Sequence, residues 1–101
     1  MHIPVPTTIA DGARAQHVGE LAFASFRHSI SGIFTATDAE LLSAMRLLAG
    51  ALKLVVEPTG CLALAAAISH KEQLRGRRIG VVLSGGNIDP RRFAELIAGP
   101  T

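Results

Sequence analysis

The run Ile79-Gly80-Val81-Val82-Leu83 is wholly apolar and stops abruptly at Ser84-Gly85-Gly86-Asn87. A strand without polar alternation needs both faces covered, as the inner strands of a parallel sheet are when helices lie on either side. That run constrains the chain to an α/β architecture more than any other feature. It also places a hydroxyl and bare backbone at the carboxyl edge of the sheet, where open α/β sheets bind ligands. The other reading of these four residues is a tight strand-to-helix turn capped by Ser84 and Asn87. A phosphate-cradling loop is ruled out, because the glycine spacing is wrong and no lysine follows.

Upstream and downstream, helical and extended segments alternate. Pro4 and Pro6 keep His2–Thr8 extended, and Asp11-Gly12 ends that stretch in a turn. Leu21, Phe23, Phe26 and Ile30 recur at helical spacing, which predicts a helix from about Val18 to Ile30, stopped by Ser31-Gly32. Ile33–Ala36 reads as a second short strand. Thr37-Asp38-Ala39-Glu40 is a capping box opening a helix to about Lys53, with Leu41, Leu42, Met45, Leu48 and Leu52 on one face. Pro58 suits the first turn of another helix through Ile68, apolar nearly all round and so expected to be buried. Lys71–Arg78 is a polar connector turning near Gly76. Asp89-Pro90 opens a last helix that Gly99-Pro100 stops.

Composition narrows the class. The chain has 101 residues, enough for one domain over 1–101, and 49% of them are hydrophobic. Only 18% are charged, so disorder is excluded. The single cysteine, Cys61, rules out a disulfide scaffold and fits a reducing cytoplasm. No apolar stretch approaches a membrane span, and Met1–Pro6 lacks the basic start of a signal peptide. A net charge of +2 gives no footprint for nucleic acid, and Arg75-Gly76-Arg77-Arg78 reads as a solvated connector without an aromatic platform.

Other polar clusters offer chemistry or plain structure. Glu57-Pro58-Thr59-Gly60-Cys61 is either a helix break, with Thr59 or Glu57 satisfying the new amino end, or a carboxylate held beside a ligand. Cys61 has apolar neighbours and no base nearby in sequence, which argues for packing over nucleophilic chemistry. Asp11, Gly12, Arg14, Gln16 and His17 form a third polar cluster, which reads as a solvated loop leading into a helix. Four His and eight carboxylates lie without metal-ligand spacing, so no metal site is expected.

Three segments in this order carry a resemblance: Thr8-Ile9-Ala10-Asp11-Gly12, Val56-Glu57-Pro58-Thr59-Gly60, and Val81-Val82-Leu83-Ser84-Gly85-Gly86-Asn87. From about Pro4 to Leu96 the chain resembles the carboxyl-terminal third of the serine/threonine dehydratases and serine racemases, fold-type II enzymes dependent on pyridoxal phosphate. Gln16-His17-x-Gly19, together with Thr59-Gly60-Cys61, is most similar to the threo-3-hydroxyaspartate ammonia-lyases.

The resemblance implies a fragment of a three-layer α/β/α parallel-sheet fold, of the tryptophan synthase beta type. It implies that Ser84 hydrogen-bonds the cofactor's pyridine nitrogen, that Gly85 and Gly86 let backbone pass close to the ring, and that Asn87 belongs to the same loop. Glu57 would stand near the ring and Gly12 would line the substrate side. Asp11, Arg14, Gln16 and His17 would lie toward the substrate. The family's Schiff-base lysine, phosphate loop and substrate-carboxylate loop lie upstream of the matching third, and neither Lys53 nor Lys71 sits in the lysine's motif.

The implied function is thus the carboxyl-terminal portion of a hydroxyamino-acid dehydratase, with no catalytic residue in this chain and no activity expected from it alone. The alternative is a non-catalytic remnant serving as an interaction or regulatory module. The expected partners are the missing amino-terminal portion or a second copy, in a homo-oligomer that covers the apolar helix and the strand edges.

Overall fold

The chain's strongest local signals are its helix starts, and they set the frame. The computed structural model describes residues 2–99; Met1 and Pro100, which the signal-peptide and helix-stop readings touch, lie outside them. Helix α1 covers Glu20–Phe26, α2 Asp38–Leu47, α3 Leu62–Ser69 and α4 Pro90–Ala98.

The capping box forms as read. The Glu40 amide donates to Thr37 Oγ1 at 3.2 Å, and the Thr37 amide donates to Glu40 Oε1 at 2.7 Å. Helix α2 then runs on through a wider π-helical turn at Leu48–Leu52. Lys53 stops it in the left-handed region at φ 58°, while the Leu54 amide reaches back to the Leu48 carbonyl at 3.1 Å. The Lys53 ammonium covers the Gly50 carbonyl at 2.6 Å.

Leu41, Ala44, Met45 and Leu48 from this element meet Ala10, Val56, Cys61 and Ala65 in the core. Helix α4, capped by Asp89 through the Arg91 amide at 2.7 Å, lays Phe93, Leu96 and Ile97 against that core. Arg46 fastens its far end. The guanidinium donates to the carbonyls of Ile97 at 2.8 Å, Leu96 at 3.3 Å and Gly99, the carbonyls that a helix end leaves unpaired.

Two expectations need correction. Helix α3 is apolar all round but not buried all round: within it only Ala65 is fully enclosed, while Ile68 is 45% exposed. Helix α2 covers one side closely, while Leu62, Ala63, Ala66 and Ala67 face Phe34 and Ile79–Val81 across a cavity of about 390 Å³. The helix expected from Val18 to Ile30 is shorter, and Leu21 is 87% exposed. Ser25 and Ser29 turn their hydroxyls onto the Leu21 and Ser25 carbonyls, and little else packs on the segment.

The two segments expected as strands, Ile33–Ala36 and Ile79–Leu83, show no ladder among the described residues, and Val82 is 75% exposed. An extended segment becomes a strand only through a neighbour's backbone, and these two do not pair with each other.

Candidate functional site

Three loops that are far apart in sequence meet at the edge of the core. The first is held by α2. Asp38, its first residue, accepts from Thr8 Oγ1 and, at 3.2 Å, from the Ile9 amide. A carboxylate there also complements the positive end of the helix. With Ala10 buried beneath it, the chain turns through one 3₁₀ turn at Asp11–Ala13. The Gly12 amide, at the tip of that turn, donates to Thr59 Oγ1 at 2.9 Å.

The second loop runs from Val55 to Cys61, with Pro58, Gly60 and Cys61 buried. Its hub is Gly60. A Cβ there would stand 2.6 Å from the Gly85 carbonyl oxygen and 2.8 Å from Val56 Cγ1. Bare backbone is therefore required for the second and third loops to touch. Cys61, wholly enclosed, has its thiol pushed up to about 11 by burial. That is an inert packing thiol, as its apolar sequence neighbours suggest.

The third loop is Ser84–Asn87. The Glu57 amide donates to the Gly85 carbonyl at 3.1 Å, so the two loops are joined along their backbones. A Cβ on Gly85 would come within 2.5 Å of Glu57 Oε1, and one on Gly86 would strike the Val55 carbonyl. Gly86 is thus needed by the chain's own packing, whereas a methyl on Gly85 would meet only the far end of the Glu57 side chain. The Ser84 hydroxyl is exposed beside this junction.

Asp11, Glu57, Thr59, Asn87 and Arg92 share the walls of a cavity of about 60 Å³ where the loops converge. The arrangement offers a neutral hydroxyl at Ser84, a half-buried carboxylate at Glu57 and an exposed amide at Asn87.

Not every candidate joins them. Arg14 pairs with Asp11 at 3.0 Å and donates to the Thr8 carbonyl at 2.5 Å. Gln16 instead bonds Ile3 through both backbone and side chain at 3.0 Å, and the His17 ring lies 4.3 Å from that of His2. The structure thus gathers Gly12, Asp11, Glu57, Gly85, Gly86 and Asn87 with Ser84 at their margin, and ties Gln16 and His17 to the first residues. Thr59 does not cap the following helix; its hydroxyl serves Gly12. Asp38 and Thr59 carry no sequence signal for these contacts, because each acts on residues remote in the chain, and Arg92 reaches the cavity wall only through the packing of α4.

No group of three or more His, Cys, Asp and Glu that could hold a metal ion occurs among the described residues. Nor is any helix there long and apolar enough to cross a membrane.

Comparison with known proteins follows this geometry. Residues 1–85 match the family model described as pyridoxal-phosphate dependent enzyme. The chain is 50% identical over 99 residues to an L-threo-3-hydroxyaspartate ammonia-lyase of Saccharomyces cerevisiae, covering 98% of this chain and 30% of that protein. It is 45% identical over 98 residues to a serine racemase of Schizosaccharomyces pombe, covering 97% of this chain and 30% of that one. Among solved structures, a threonine deaminase from the organism abbreviated T.th. superposes with a TM-score of 0.83 at 42% identity, over 88% of this chain and 32% of its own. The likeness establishes an α/β fold, and the chain spans about 30% of the length of the curated relatives it matches.

Proposed function

Since the chain belongs to the pyridoxal-phosphate dependent enzyme family, we propose that it is the carboxyl-terminal portion of a hydroxyamino-acid dehydratase of the threo-3-hydroxyaspartate ammonia-lyase type. One observation carries this reading: the loops of Gly12, Glu57 and Ser84, the three segments of the family resemblance, are joined in series, the first to the second through the Gly12 amide and the Thr59 hydroxyl and the second to the third backbone to backbone.

The donor set fits the cofactor. When bound, pyridoxal phosphate supplies an electron sink for the pair left on an amino acid's α-carbon. Ser84, exposed and neutral, is suited to a hydrogen bond with a pyridine nitrogen and does not force that nitrogen to hold a proton. A weaker sink suits β-elimination, in which the departing hydroxyl takes over the electron pair. Glu57 is fixed beside the Ser84 loop by the hydrogen bond from its amide to the Gly85 carbonyl and presents a carboxylate to the same junction. Asp11 and Gly12 are held on the far side of Thr59, toward the substrate, with Arg14 as the nearest cation. The net reaction is loss of water from a hydroxyamino acid, then hydrolysis of the enamine to a keto acid and ammonia.

On the same reading, Ile79–Leu83 and Ile33–Ala36 are strands of a three-layer α/β/α sheet whose neighbours come from the remainder of the enzyme. That remainder also supplies the Schiff-base lysine, for Lys53 is engaged with its own helix end. It covers the outward faces of α3 as well, in a cytoplasmic homo-oligomer.

A chimera tests the reading. This chain replaces the matching 30% of the Saccharomyces cerevisiae relative, and keto acid and ammonia are assayed with L-threo-3-hydroxyaspartate. Turnover is expected; a folded, cofactor-loaded chimera without turnover contradicts it. This chain alone, treated with pyridoxal phosphate and borohydride, should give no stoichiometric adduct.

A further inference from the structure

We propose that Thr59 is a positioning residue that sets the substrate-side loop against the cofactor-side loop, an inference that rests on the dehydratase reading above. The Gly12 turn has one long-range tether downstream, the 2.9 Å bond from its amide to Thr59 Oγ1, across 47 positions of sequence. Upstream, the Asp38 carboxylate holds Thr8 and Ile9. The turn's other backbone bonds are local, Asp11 amide to Ile9 carbonyl and Ala13 amide to Ala10 carbonyl, each at 2.9 Å, so Thr59 is what sets its tip against the second loop.

Thr59 is itself immobilised. Its neighbour Gly60 lies against the Gly85 backbone, and Glu57 bonds the Gly85 carbonyl. The hydroxyl therefore converts the fixed relation between Glu57 and Gly85 into a fixed position for Gly12. The methyl contributes too: a Cβ on Gly12 would meet Thr59 Cγ2 and Oγ1, each at 3.1 Å, so the turn is packed against both arms of the side chain. Threonine supplies the acceptor on a branched, conformationally restricted stem. Valine keeps that shape and removes the acceptor. Serine keeps the acceptor and loosens the stem.

The prediction follows from that pair. In the complete, cofactor-loaded enzyme, Thr59→Val should raise KM for the hydroxyamino acid about tenfold, the worth of one backbone hydrogen bond, with kcat and cofactor absorbance little changed. Thr59→Ser should restore most of the affinity. Amide exchange read on this chain should show Gly12 losing protection in Thr59→Val, while Glu57, bonded to Gly85, keeps its own.

A Thr59→Val enzyme with unchanged KM overturns the inference, as does unchanged exchange at Gly12. So does a serine variant that fares no better than valine. A wild-type enzyme without turnover overturns the dehydratase reading instead, and the exchange measurement then still shows whether Thr59 holds Gly12.

Discussion

The Glu57 amide donates to the Gly85 carbonyl at 3.1 Å, and Glu57 Oε1 lies 2.5 Å from the point that a Gly85 Cβ would occupy. Two segments almost thirty residues apart are thereby seated backbone to backbone, and the exposed Ser84 hydroxyl inherits its position from that contact. The junction requires glycine at Gly60 and Gly86, where a Cβ would strike backbone, which makes it open to direct test.

Gly60→Ala puts a methyl against the Gly85 carbonyl and Val56. One of those neighbours is backbone and cannot swing aside, so the change should cost about 1–3 kcal/mol. Gly50→Ala is the control. Nothing beyond its own helical backbone lies within 4 Å of the added methyl, and alanine in a helical turn should stabilise by roughly 0.5–1 kcal/mol. Urea denaturation of both variants checks the contrast; equal effects would mean that the loops are not in contact.

Local chemistry was legible in the sequence, and contacts between remote residues were not. Thr37 with Glu40, and Asp89 with Pro90, announce helix starts because each cap is made by residues within one turn. The three loops were legible as a set through the family resemblance. The link from Gly12 to Thr59 was not, because the local alternative, Thr59 capping its own helix, has the same sequence signature. The apolar run Ile79–Leu83 was read as a buried strand. Burial is conferred by neighbours, and those the chain itself provides leave Val82 exposed. For the same reason α3 is fully enclosed only at Ala65.

Acid should loosen the start of α2. Glu40 has its carboxyl held below the ordinary 4.5, first by the Ser69 hydroxyl and then by the Thr37 amide and hydroxyl. A lowered folded value means that this contribution is present above the unfolded value and is lost as pH falls through the folded one. Stability measured from pH 7 down to pH 3 should therefore fall more steeply in the wild type than in Glu40→Gln. Parallel curves would show that the carboxylate is not engaged.

Cys61 should behave as packing. With its thiol wholly enclosed and pushed up to about 11, it should resist iodoacetamide at neutral pH and react only as the chain unfolds. Its modification rate should follow denaturant concentration. Prompt stoichiometric alkylation of the native protein would refute the buried placement.

The most direct test of the account is Ser84→Ala in the complete enzyme, with cofactor absorbance and turnover of L-threo-3-hydroxyaspartate measured on the same preparation. The junction of Glu57 and Gly85 is left intact by this change, since only the exposed hydroxyl is removed. Losing one hydrogen bond to the pyridine nitrogen should cost on the order of 1–3 kcal/mol, roughly a five- to 150-fold fall in turnover, with cofactor retained. A variant that keeps its cofactor and turns over at the wild-type rate would show that Ser84 is a turn residue and nothing more.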